Sequence, residues 1–344
     1  MAAAAPSDRS ARRRWYVWSV VSVVAVAIAS ACDTSTADDG TGEQPITVVV
    51  APHPDDEFQA WGSLPGGRQA GDVVHVFLTQ GEQTAFCEAG LPGFDETTGE
   101  RLPDPLPEGR FTATCREARI NSTLRFLERM ADVDPSSPII EADPVVVGPF
   151  PVEDVTLCRF DGDDECVPAS PTVDVYTAGG APAVLFFDLG DGDVTVDEVE
   201  WALRTVVTQR DTLGIDPSRP FGELIAASYF ADSDQTECFV YDHPDHQAVS
   251  EVVRGIDLAA FGSQVVPVCA GEPGAVSAHV ERELFDAAFD VDGGDRVGHH
   301  VAEYGWLLDP FWPGDPGPGQ SELFHADQWF VRGFEQPPEA RSDA

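Results

Sequence analysis

Short apolar runs rich in β-branched residues alternate along this chain with stretches whose apolar residues recur three to four positions apart. The first run, residues 46–50, reads as a buried strand, and Val73–Thr79 as a second. Further strands are expected at 144–147, 183–187, 224–228, 265–268 and 324–334. Between them, residues 112–130 carry Ile120, Leu124, Phe126 and Leu127 on one helical face. Thr195 and Glu198 form a capping box before Val199, Leu203, Val206 and Val207. Helices are also expected from Pro54 through Phe58, Ala60 and Trp61, over 247–258, and over 280–289. Strands alternating with helices predict an α/β fold with a mainly parallel sheet and helices on both faces.

The intervening segments change this picture in two ways. Residues 83–111 and 135–172 are rich in proline and glycine and too long for plain connections, so they are expected to be pinned. Six cysteines, at 87, 115, 158, 166, 238 and 269, are expected to pair in chain order, each pair closing one loop. Residues 1–32 hold four arginines, then an apolar run, then Ala29-Ser30-Ala31-Cys32, which reads as an export signal with a lipobox-like end. Cys32 would carry lipid and anchor an otherwise extracytoplasmic protein; an uncleaved N-terminal anchor is the alternative. Residues 33–45 read as a tether, 46–335 as a single domain and 336–344 as a disordered tail.

Sixty acidic residues against 20 basic ones give a net charge of −40. A field of that sign repels phosphate backbones, which excludes nucleic acid as a partner class.

The candidate chemistry sits where the pattern breaks. Directly after the first strand come His53-Pro54-Asp55-Asp56-Glu57, and ahead of a later helix come His243-Pro244-Asp245-His246. Proline followed by acids is also what a helix N-terminus prefers, and Glu57 is expected to serve there. Two tetrads of the form His-Pro-Asp-ligand go beyond capping. His53 and Asp56, three apart, can face one point, and a second histidine would complete a three-ligand metal site with an open position for water. Residue chemistry leaves open whether His243 or His246 is that ligand. Asp55 and the remaining histidine could then serve as base and as acid or oxyanion stabiliser, a set suited to hydrolysis of an amide or ester. An acidic run at residues 188–193 has a calcium-loop composition but the wrong register, and reads as a turn into a helix.

Together with Thr79-Gln80-Gly81-Glu82, these tetrads resemble the motifs of the PIG-L/LmbE family of zinc-dependent N-acetylglucosamine de-N-acetylases, in the same order over residues 46–255. The resemblance implies a Rossmann-like fold without nucleotide and a Zn2+ cofactor, with another divalent metal as the variant. It implies His53, Asp56 and His246 as metal ligands, Asp55 as general base, His243 as oxyanion stabiliser and acid, and Asp245 as the residue orienting His243. Ser63-Leu64-Pro65-Gly66-Gly67 departs from the family's glycine-rich helix at that place. The function expected is removal of an N-acyl group, chiefly acetyl, from an amino-sugar or glycoconjugate substrate. Two alternatives stand beside it: an amidase or esterase of the same mechanism on a non-sugar metabolite, and a non-catalytic metal-containing glycan-binding protein.

Overall fold

Every residue of the first strand, β1 (Ile46–Ala51), is buried, and its side chains divide between two cores. Ile46, Val48 and Val50 enter one, whereas Val49 and Ala51 enter the other. With a side-chain period of two, only a strand covered on both faces does this. In the computed structural model the described residues are 44–57, 60, 63–64, 69–84, 87, 108–133, 139–141, 143–159, 166–228, 243–267, 276–279 and 327–335. The expected N-terminal signal, the expected tether through residue 43, the expected tail, the expected Cys238–Cys269 pair and the helix expected at 280–289 lie outside them.

The chain continues through β2 (Val73–Thr79), α1 (Ala113–Val133), β3 (Val145–Val147), β4 (Cys158–Arg159), β5 (Val167–Pro168), β6 (Val173–Ala178) and β7 (Ala181–Leu189). It then forms α2 (Val196–Thr208), α3 (Arg210–Leu213), β8 (Phe221–Ala226), α4 (Pro244–Gly255), β9 (Ser263–Pro267), β10 (Val276–His279) and β11 (Asp327–Glu335). Nine strands make one sheet in the order β10-β11-β9-β8-β1-β2-β7-β6-β3, while β4 and β5 form a separate two-stranded hairpin. Helices cover both faces: α2 and α4 close one core through Val199, Leu203, Val206, Val249, Val252 and Val253, and α1 closes the other through Ile120. Among the described residues no helix is long and apolar enough to cross a membrane.

The sheet is mixed rather than mainly parallel. Its five central strands, β9, β8, β1, β2 and β7, run parallel, but β6 and β3 on one side and β11 and β10 on the other pair antiparallel. One cause is local: β6 turns directly into β7 through Gly179-Gly180, both with positive φ (59° and 83°), a two-residue hairpin turn that forces antiparallel pairing. A second departure concerns Pro54. Among the described residues no α-helix starts there; residues 52–57 form a tight turn in which the Asp56 N–H donates to the His53 carbonyl at 3.3 Å and Asp55 takes φ 103°, while Phe58 and Trp61 of the expected helix lie outside the described residues. Two disulfides, Cys87–Cys115 and Cys158–Cys166, pin the long loops as expected.

Candidate metal centre

The parallel strands present their carboxyl ends along one edge, where an open α/β sheet receives ligands. Four turns meet there: residues 52–57 after β1, 80–83 after β2, 190–193 after β7, and the start of α4. Each is held by groups from its neighbours.

Thr79 ties the first two together, since both its N–H and its hydroxyl donate to the Pro52 carbonyl, at 3.1 and 3.0 Å. Gly81 follows with φ 71°, and a Cβ there would come within 2.9 Å of the Pro54 ring and 3.0 Å of Arg119 Nε. Only glycine lets the two turns approach so closely. Glu57 is buried and accepts the Asp55 N–H at 2.8 Å, which closes the turn from the other side.

The second tetrad is a regular helix start. His243 is the N-cap of α4, its Nδ1 accepting the Asp245 N–H at 3.4 Å, and Pro244 opens the first turn. The helix therefore begins three residues earlier than expected and carries Asp245 and His246 inside it. Ser228, just past β8, donates to the His246 carbonyl at 2.9 Å and anchors that turn to the sheet.

His53, Asp56 and His246 are all buried and converge on one point. His53 Nδ1 lies 3.1 Å and His246 Nε2 3.3 Å from Asp56 Oδ2. An ion holding nitrogen and oxygen tetrahedrally at about 2.0–2.1 Å spaces its ligand atoms about 3.3 Å apart, so the donor set fits a metal ion. Charges reflect the crowding. Burial alone would raise the Asp56 carboxyl, but the His246 and His53 rings outweigh it and hold it well below the usual range. Burial alone would lower His53, yet Asp191, Asp245 and Asp56 raise it well above its ordinary value.

The other nitrogen of His53 is equally engaged. Nε2 is 2.9 Å from Asp245 Oδ2 and 3.2 Å from Asp191 Oδ1. Asp245, wholly buried, also accepts the N–H groups of Gly192 (2.8 Å) and Val194 (3.0 Å). Asp245 thus supports His53 as well as His243: its Oδ1 stands 4.0 Å from His243 Nδ1, and its backbone N–H donates to the same nitrogen. His53, Asp191, His243 and Asp245 form a second grouping with metal-ligand character. It shares His53 with the first, and because a neutral imidazole that binds an ion through one nitrogen carries N–H on the other, the Asp191 and Asp245 side reads as the carboxylate support of a ligand histidine.

Asp191 escaped the sequence reading. Its signal was present, an acid directly past the carboxyl end of a strand at 188–193, but acids before a helix are common and its aim is set by Gln83, 108 positions away, whose N–H it accepts at 2.5 Å.

Asp55 lies half-buried beside His53, Asp56 and His246, paired with the Arg119 guanidinium, which also donates to the Pro54 carbonyl. Burial pushes its carboxyl up to about 6 against the pull of Arg119. His243 stands on the open side, its ring centroid 4.7 Å from that of His53, and burial together with the His53 charge lowers it to about 4. The arrangement offers three ligand atoms, a carboxylate that is ionised at neutral pH and an uncharged imidazole. Comparison with protein-family models and with curated proteins returns no match.

Proposed function

We propose that this chain is a zinc-dependent amidohydrolase of the PIG-L/LmbE kind, built on a Rossmann-like core, exported and anchored through a lipidated Cys32. Its reaction is removal of an N-acyl group, chiefly acetyl, from an amino-sugar-containing substrate. The observation that carries the reading is the meeting of the two tetrads: Asp56 Oδ2 within 3.1 and 3.3 Å of nitrogens from His53 and His246, with Asp55 free of that cluster at its side.

A zinc ion held by His53, Asp56 and His246 would lower the pKa of a water to about 7 and polarise an amide carbonyl. Asp55, with its carboxyl near 6, is ionised at neutral pH and can take a proton from that water. His243, uncharged at the same pH, can donate an N–H to an oxyanion, and the proton that Asp55 takes from the water can pass to the departing amine. Asp245 keeps His53 in one orientation throughout.

The test is a hydrolysis panel of N-acetylated amino sugars, their glycoconjugates, simple N-acetyl amines and esters, run on the zinc-loaded protein and its Asp55→Ala variant. Acetate release from the sugar amides, abolished in the variant while zinc stays bound, is the expected result. Hydrolysis confined to non-sugar amides or esters would overturn the substrate, and full activity of the variant would overturn the base.

A further inference from the structure

The two disulfides among the described residues are far apart in sequence, yet both brace the same carboxylate. Asp191 accepts the Gln83 N–H through Oδ2 and faces His53 Nε2 through Oδ1. Gln83 belongs to the turn that ends in Cys87, whose N–H donates to the Thr84 carbonyl at 3.2 Å. The Cys87–Cys115 bond fastens that turn to the first turn of α1, and the same junction is tied by the Phe111 N–H on the Glu82 carbonyl at 2.9 Å and by Arg116 on the Glu82 carboxylate. On the opposite side, the Gly190 N–H, next to Asp191, donates to the Cys158 carbonyl at 2.7 Å. Cys158 is closed onto Cys166, and its N–H donates at 2.7 Å to Glu198, the capping-box residue of α2. Arg159 of the same hairpin pairs with Asp188 at 3.4 Å.

We infer that Asp191 is a positioning residue for His53 and that the two disulfides hold it in place, so that metal capture depends on the oxidised state of the chain. The inference rests on the metal-site reading above. A ligand histidine whose second nitrogen is fixed by carboxylates keeps its ring aimed and its basicity raised. Asp191 is buried, and the Gln83 N–H on its Oδ2 and the neighbouring Gly190, tied to Cys158, orient it. Opening a loop of 28 residues or of 8 removes a covalent restraint beside the Gln83 N–H on one side and beside the Cys158 carbonyl that holds Gly190 on the other. In reduction, each disulfide takes two electrons and two protons from a dithiol, which leaves as its own cyclic disulfide. A chain still in a reducing compartment would then bind metal weakly and gain its full affinity on oxidation.

The test is a Co2+ titration of the full chain, followed by visible absorption, for the wild type, Asp191→Asn, Cys158→Ser/Cys166→Ser and Cys87→Ser/Cys115→Ser. Thermal melts of the metal-free proteins accompany it. Cys166 is exposed and Cys158 half-buried, so the second pair can be removed without opening a core; Cys87 and Cys115 are buried, and that variant is read only if it melts cooperatively. Asp191→Asn is expected to weaken cobalt binding about 10- to 100-fold, within the range for supports of ligand histidines. Cys158→Ser/Cys166→Ser is expected to weaken it at least about threefold with an altered absorption band, which a loss of global stability alone would not produce. Wild-type affinity and spectrum in both folded variants would overturn the inference and leave the metal site standing. A wild type that takes up no cobalt would overturn both.

Discussion

The two tetrads share the letters His-Pro-Asp but use the aspartate in opposite ways. In the first, the backbone leaves the helical region at Asp55, φ 103°, and turns its carboxylate toward Arg119 and the open side of the site. In the second, the tetrad caps and opens α4, and Asp245 points inward, wholly buried, with three donors upon it. The lesson is that backbone geometry decides the part an acidic residue plays. A turn packed closely on Gly81 and Arg119 makes a candidate base, and a helix start makes a support.

Removing a ligand should have the largest effect. His246→Ala or Asp56→Ala is expected to weaken zinc binding by more than the roughly 10- to 100-fold typical of a supporting residue, measured by competition with a chromogenic chelator. A smaller loss than that of Asp245→Asn would reverse the division of roles.

Acidity comes next. The proton on His53 is favoured by Asp191, Asp245 and Asp56 despite burial, so His53 is raised above 6.5 and must lose that proton to bind metal on Nδ1. Apparent affinity should therefore fall about tenfold per pH unit below the raised value. In the metal-free protein the sign is opposite. Stability from protonated His53 is fully present below 6.5 and is lost as pH rises through the raised value, so the free protein should weaken toward alkaline pH while the loaded one gains. Calorimetric melts of both forms from pH 5 to 9 would show the crossing; parallel curves would contradict it.

Asparagine at the third position of each tetrad separates the two aspartates directly. Asp245→Asn sets an amide N–H against N–H donors and should cost about 2–3 kcal/mol of stability in denaturant unfolding. Asp55→Asn keeps an acceptor for Arg119 and suits positive φ, so its stability should change by less than about 1 kcal/mol and its zinc affinity by less than about twofold. Equal losses at both positions would erase the distinction.

The central sheet and the two tetrads were legible because their signals are local. Residues 46–50 and Val73–Thr79 are continuous apolar runs, and Thr195 with Glu198 writes its capping box within four positions. What escaped depends on distant partners. β6 interleaves Asp174 and Thr177 with its apolar residues, and its direction follows from the Gly179-Gly180 turn, whose effect on the sheet was not read. Asp191 looks like any acid before a helix until Gln83 and His53 are brought against it. The added contact of Asp245 with His53 likewise follows from where α4 packs.

The central claim is that the two tetrads close one metal site. A crystal structure of the zinc-loaded chain tests it most directly. One zinc per chain on His53 Nδ1, Asp56 and His246 Nε2, with Asp55 unligated and Asp245 still on His53 Nε2, is the predicted result. Zinc bound through Asp191 and His243 instead, or no zinc at this edge of the sheet, would contradict it.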